Sequence, residues 1–199
     1  MLLIVGTEST WSLRALICSK IAGIEVKQHV IDLTASGYKS ELLKYSQAGL
    51  VPALDNGSGV VHDSLAIAEY FNECTDGSLY PQSSSERALS RSLCAELHSG
   101  FINLRTQLPF TTDKVDPPSL LSDEVLKEVC RISEIFEKAR LPFMFDSAGC
   151  VDAFYAVLAY RLKIYGITLE GQAGEYKKRL LEWDLFNQAL ERARIWKNI

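Results

Sequence analysis

Three short stretches carry polar side chains where chemistry can be done. Ser9, Thr10 and Ser12 put three hydroxyls within four residues, just past a short apolar run. At the start of a helix such hydroxyls act as caps, because Ser and Thr oxygens accept from the first free backbone N–H groups. The same place suits a second task. A hydroxyl beside a helix N-terminus can donate to a bound anion, with the helix dipole assisting. A thiolate is such an anion. Asp63-Ser64, ahead of Leu65-Ala66-Ile67-Ala68, is either another cap or an anion nest with a carboxylate beside it. The latter holds both the carboxylate and the ammonium of an amino-acid-like ligand. Gly49-Leu50-Val51-Pro52 opens a strand. Its proline is an ordinary strand-start residue, or a cis proline presenting the backbone of Val51.

Other chemistries lack their residues. His29, His62 and His98 are scattered without metal-ligand spacing, and no CxxC, HExxH or EF-hand pattern occurs, so no metal is expected. Walker A, GxGxxG and GxSxG patterns are also missing. The net charge is −4, with five basic and nine acidic side chains in residues 1–80 and sixteen of each beyond. No region has the basic excess that nucleic acid requires. The five cysteines, at 18, 74, 94, 130 and 150, are too widely spaced for a disulfide framework and read as reduced thiols. The start MLLIVG has no basic n-region, and the longest uncharged apolar run, 153–160, is far too short for a bilayer span. The expectation is a soluble cytoplasmic protein with no membrane or nucleic-acid partner.

The elements that must position these residues follow from periodicity. Leu2–Val5 reads as a buried strand, and Trp11–Ala22, closed by Gly23, as a helix. Glu25–Asp32 is a second strand and Lys39–Tyr45 a short helix. Val51–Leu54 and Gly59–Val61 flank the turn Asp55-Asn56-Gly57-Ser58 as a hairpin, and Ser64–Glu73 is a helix. The order βαβαββα is the thioredoxin-like pattern, so the fold class is an α/β thioredoxin-like N-terminal domain, residues 1–75. The Ser-, Gly- and Pro-containing residues 76–85 are a linker. Residues 86–199 form an all-α C-terminal domain. Its expected helices are Ala88–Leu108, Ser122 to about Arg140, the nearly all-apolar Cys150–Tyr165, and one or two within Glu175–Lys197.

At this level three separated segments are similar to the cytosolic glutathione S-transferases. Gly49-Leu-Val-Pro-Ala-Leu through Val61-His-Asp-Ser-Leu-Ala-Ile-Ala-Glu-Tyr-Phe resembles that family's glutathione-binding part. Ser9-Thr-Trp-Ser-Leu-Arg resembles its serine-type zeta, tau and bacterial groups, and Gly149-Cys-Val-Asp-Ala-Phe-Tyr-Ala resembles a helix start in its second domain. The resemblance implies a detoxifying transferase with glutathione as co-substrate, no metal, and a homodimeric assembly. It places the catalytic hydroxyl at Ser9, with Thr10 and Ser12 as fallback donors. It places glutathione on Lys39 (glycyl carboxylate), Val51 (cysteinyl backbone), a cis Pro52, and Asp63 with Ser64 (γ-glutamyl end). A small hydrophobic electrophile is expected against Trp11, His98, Phe101 and Arg105. Two positions depart from the pattern: Leu50 stands where many members have a basic residue, and Gly149 where they have Ser or Thr. The alternatives on the same fold are a non-catalytic glutathione-binding or protein-interaction module, or a zeta-like isomerase or peroxidase.

Overall fold

The computed structural model describes residues Met1–Ile199. The run Leu2-Leu3-Ile4-Val5 has no polar face to offer solvent, so the strand it forms, β1 (Leu2–Gly6), must lie inside a sheet. It does: Leu3, Ile4 and Val5 are fully buried, and the strand order is β2-β1-β3-β4. β2 (Lys27–Ile31) runs parallel to β1, reached through helix α1 (Thr10–Ile21). β3 (Ala53–Asp55) pairs antiparallel with β1, and β4 (Val60–His62) antiparallel with β3. Helix α2 (Tyr38–Leu42) precedes β3, and helix α3 (Ser64–Cys74) follows β4. This is the expected thioredoxin-like arrangement.

Side-chain alternation splits the sheet's two faces. Ile4, Ile31 and Ala53 point to one face and bury Leu42 of α2, with Leu33, Tyr38, Tyr45 and Val51 around them. α1 and α3 pack against each other. The hairpin strands start later than the sequence suggests, at Ala53 and Val60. Pro52 has no N–H to give to a ladder, so pairing begins with the residue after it.

The chain divides into two compact units. One comprises Met1–Leu79 together with Gln188–Ile199; the other is Tyr80–Asn187. The second is helical, with α4 (Ser84–Ser99), α5 (Ile102–Gln107), α6 (Asp123–Phe136), α7 (Cys150–Ile164) and α8 (Gly171–Glu182). α9 (Asp184–Lys197) starts in the second unit and passes into the first. No helix is long and apolar enough to cross a membrane.

One helix needs correction. The expected single helix over 88–108 is two, α4 and α5, broken at Gly100–Phe101. A Cβ on Gly100 would come within 2.6 Å of the Glu96 carbonyl oxygen, so only glycine fits there. Phe101 then takes a left-handed φ of 55° while its ring stays buried. The freed N-terminus of α5 is satisfied from α6: the Glu128 carboxylate accepts the backbone N–H of Asn103 at 3.2 Å and of Leu104 at 2.6 Å.

α7 is buried on nearly every side. Its N-cap, Gly149, offers no side chain, but Asp152 reaches back to the Gly149 N–H at 2.9 Å. The other Asp152 oxygen accepts the Met144 N–H at 2.9 Å and the Tyr176 hydroxyl at 2.7 Å. Burial lifts this carboxyl to about 6 despite those donors.

Candidate active site

The strand register decides what comes together. Ala53 pairs with both Ile4 and His62, so the segments continuing from those strands leave the sheet at one end. Gly6 with the start of α1, the Val51-Pro52 segment, and Asp63-Ser64 are therefore gathered there. In parallel and mixed sheets of this kind, ligands bind beyond the carboxyl ends of the parallel strands. β1 and β2 end at Gly6 and Ile31, on this same side.

Ser9 is the N-cap of α1, with extended φ and ψ of −84° and 109°. Its Oγ accepts the Ser12 N–H at 3.2 Å. A hydroxyl keeps one proton to donate after accepting, and no protein acceptor takes the Ser9 proton. Ser9 is half-buried, whereas Thr10 and Ser12 are buried. Ser12 Oγ is occupied as the acceptor for the Gly6 N–H at 3.1 Å. Of the three hydroxyls, Ser9 is the one that an external group can reach.

Gly6 ties this helix start to the next segment. Its carbonyl accepts the Ser9 N–H at 3.2 Å. A Cβ there would meet Leu33 at 2.6 Å and Val51 Cγ2 at 2.8 Å. Val51 thus lies directly on the strand that leads to Ser9. The Val51–Pro52 peptide bond is cis, as the family resemblance implies. Leu141–Pro142 is also cis, which the sequence reading did not single out. Gly6→Ala is expected to push Val51 and Leu33 aside at about 1–3 kcal/mol of stability. It should weaken glutathione binding as Val51 moves. Thermal unfolding and a glutathione titration of the variant check both effects.

Asp63 holds a left-handed φ of 76°, costly for a residue with a Cβ. Its carboxylate caps α3, accepting the N–H of Leu65 at 2.7 Å and of Ala66 at 3.4 Å. Ser64 is 1% exposed, and its Oγ has no hydrogen-bond partner. A buried hydroxyl without a partner is unusual. Here it lies at the N-terminus of a helix, where the backbone field favours an anion. Lys39 extends into solvent from α2, whose Tyr38 and Leu42 share a cluster with Val51. Leu50 is 67% exposed.

The residues expected around an electrophile fall in different units. Trp11 lies in the first unit, half-buried, with the buried Arg14 guanidinium 4.2 Å from its ring centroid. His98, Phe101 and Arg105 lie in the second, along the α4–α5 break. Phe101 serves the core of that unit, and Arg105 directs Nη1 toward the Gly100 carbonyl at 3.4 Å. A separate cleft of about 640 Å³ is lined by residues 43–48 with Val60 and His62. It shares no residue with the Ser9, Val51 and Asp63-Ser64 set. Two positioning features escaped the sequence reading. Gly6 was visible only as the end of an apolar run. Glu8, with a left-handed φ of 52°, pairs with Lys197 at 2.9 Å, and nothing in the local pattern joins residues so far apart.

Comparison with known proteins bears on this arrangement. Residues 8–74 match the family described as glutathione S-transferase, N-terminal domain. No curated protein matches the sequence significantly. Among solved structures, a glutathione transferase homolog from Burkholderia, with bound glutathione, is 20% identical with a TM-score of 0.75. The alignment covers 98% of this chain and 97% of that one. A tau class glutathione S-transferase from mango, Mangifera indica, is 17% identical over 99% of this chain and 95% of its own, at a TM-score of 0.76. A bacterial maleyl pyruvate isomerase, described as a zeta class glutathione S-transferase, is 19% identical over 95% and 96%, at 0.72. Residues 8–74 therefore resemble a glutathione S-transferase N-terminal domain, and the chain as a whole shares its fold with these solved structures.

Proposed function

We propose that the protein is a glutathione transferase that uses the Ser9 hydroxyl to hold glutathione as its thiolate. One observation carries this reading: Ser9 is the solvent-reachable hydroxyl at the α1 N-terminus, and its proton is uncommitted. A free thiol has a pKa near ~8.5, so only about 3% is ionised at pH 7. Lowering it by ~2 units takes ~2.7 kcal/mol of preference for the anion. A charge-assisted hydrogen bond from Ser9, with the helix N-terminus behind it, is of that size. The thiolate then attacks an electrophilic carbon of a small hydrophobic substrate, and as the carbon–sulfur bond forms that carbon's bond to a leaving group, or its π bond, breaks and carries the electron pair away. Protein groups supply orientation and charge, and the nucleophile belongs to glutathione.

The remaining contacts follow the site's layout. The unpartnered Ser64 hydroxyl donates to the γ-glutamyl carboxylate at the α3 N-terminus, and Asp63 faces the ammonium. The Val51 backbone pairs with the cysteinyl unit, and Lys39 meets the glycyl carboxylate. A homodimer in the cytoplasm is part of the same proposal. Leu50 favours a second reading, a glutathione-binding module without turnover, because it puts an exposed apolar side chain where a cation would grip the ligand. Leu50→Lys is expected to tighten glutathione about tenfold, the value of one added charge-assisted contact. Calorimetric titration of the variant measures it.

The deciding experiment follows the ultraviolet absorbance of bound thiolate as glutathione is added near neutral pH, with Ser9→Ala alongside. A signal that vanishes in the variant supports the transferase. Binding without a thiolate signal in the wild type supports the module, and no binding at all sinks both readings.

A further inference from the structure

We infer that the helical unit carries a binding site of its own, for a small phosphate monoester, in a cleft between the end of α7 and one face of α8. The cleft has a volume of about 330 Å³, within the range that holds a small molecule. Gly174, Lys177, Lys178, Leu181 and Glu182 line it from α8, at the spacing of a single helix face. Lys163, in the last turn of α7, and Leu169, in the connecting loop, line it from the other side. All of these residues lie in Tyr80–Asn187, and none belongs to the Ser9, Val51 and Asp63-Ser64 set.

The cleft is shaped before any ligand arrives. A Cβ on Gly174 would come within 2.2 Å of the Leu169 carbonyl oxygen, so only glycine lets the loop close on the helix. The Lys177 ammonium donates to the Ile167 carbonyl, which holds it in place. An ammonium has three donors, so two of its N–H bonds remain for a ligand. Burial first, and the Lys163 charge second, push Lys177 below its ordinary value. No carboxylate pairs with any of the three lysines. Against them the cleft sets the single carboxylate of Glu182, which leaves an excess of two positive charges. A phosphate monoester carries about −1.5 to −2 at pH 7 and matches that excess, whereas a monocarboxylate supplies half of it. Lysine suits phosphate as a point charge, without the planar geometry that arginine imposes. Leu169 and Leu181 add apolar wall, which calls for an organic group on the phosphate rather than the bare ion.

The test titrates phenyl phosphate into the full chain at pH 7.5 and low salt, and reads the heat of binding. Saturable binding at one site per chain is expected. Lys163→Met and Lys178→Met should each weaken it about tenfold, the value of one charge-assisted contact. Both lysines are exposed and unpaired, so these variants fold as the wild type does and the comparison reads binding alone. Lys20→Met, an equal change of charge on exposed α1 surface, should leave binding unchanged. Inorganic phosphate should bind about tenfold more weakly than phenyl phosphate, because it buries no apolar group. Absence of saturable binding overturns the inference, and so does binding that survives both cleft variants intact. An equal loss in Lys20→Met overturns it in favour of general charge attraction. Inorganic phosphate binding as tightly as phenyl phosphate overturns the assignment to an ester.

Discussion

Asp152→Ala should lower the unfolding free energy by about 3–5 kcal/mol, because it strands several buried donors at once. The Met144 and Gly149 N–H groups and the Tyr176 hydroxyl all terminate on this one carboxylate. Asp152 is fully buried, so water cannot replace it. α7 would lose its only side-chain cap and α8 its tie through Tyr176. Asp152→Asn keeps an acceptor and should fall between the variant and the wild type. The same residue sets a pH dependence. Burial raises its folded-state pKa from 3.8 to about 6, so between those values the folded chain holds a proton that the unfolded chain releases. Its contribution to stability is therefore full below about pH 4 and declines, by on the order of 2–3 kcal/mol, as pH rises through 6. Urea melts of wild type and Asp152→Asn at pH 4.5 and 7 should show the wild type losing more over that interval. Parallel behaviour of the two proteins would refute the assignment.

Ser9→Ala should reduce kcat/KM for conjugation by about 25-fold at pH 7, the ratio of the thiolate fractions at a thiol pKa near ~6.5 (about 76%) and near ~8.5 (about 3%). The deficit has a direction in pH. Without the hydroxyl the bound thiol returns toward ~8.5, so ionisation recovers as the solution becomes alkaline and the gap to the wild type narrows. Stability should change little by comparison, since removing an N-cap hydroxyl costs about 1 kcal/mol. A pH–rate profile of the two proteins is the measurement. Equal rates at pH 6.5 would move the thiolate donor away from Ser9.

Much of the first unit was legible because its signals are local. The apolar run at Leu2–Val5, the turn at Asp55–Ser58 and the caps at Ser9 and Asp63 each depend on a few adjacent residues. The all-apolar stretch from Cys150 declared a buried helix in the same way, and Asp152 its reach back to Gly149. The break at Gly100–Phe101 was missed because apolar spacing continues across it. The spacing says which side chains seek a core, while the break is set by the Glu96 carbonyl crowding position 100. The last twelve residues posed the converse problem. Their periodicity shows that α9 has an apolar face but not which core receives it, and the sequence reading grouped them with the other helices. Gln28 and Glu8 make the choice, through contacts with Trp196 and Lys197 that no local pattern contains. Ser9 and Ser64 were readable as candidates. What distinguishes them, an uncommitted proton on one and an unpartnered buried oxygen on the other, exists only after folding.

The division of the chain into Met1–Leu79 with Gln188–Ile199, and Tyr80–Asn187 between them, sets an order of events at the ribosome. The sheet strands emerge first, yet the turn that carries Trp196 and Lys197 is translated after all of Tyr80–Asn187. The nascent first unit must wait, incomplete, while the whole of Tyr80–Asn187 is synthesised and free to fold. A fragment ending near Leu79 is thus a premature intermediate rather than a miniature of the mature unit, with Gln28 and Glu8 still unclaimed by α9. Emergence of α9, and not emergence of the N-terminal strands, is the step at which the first unit becomes whole.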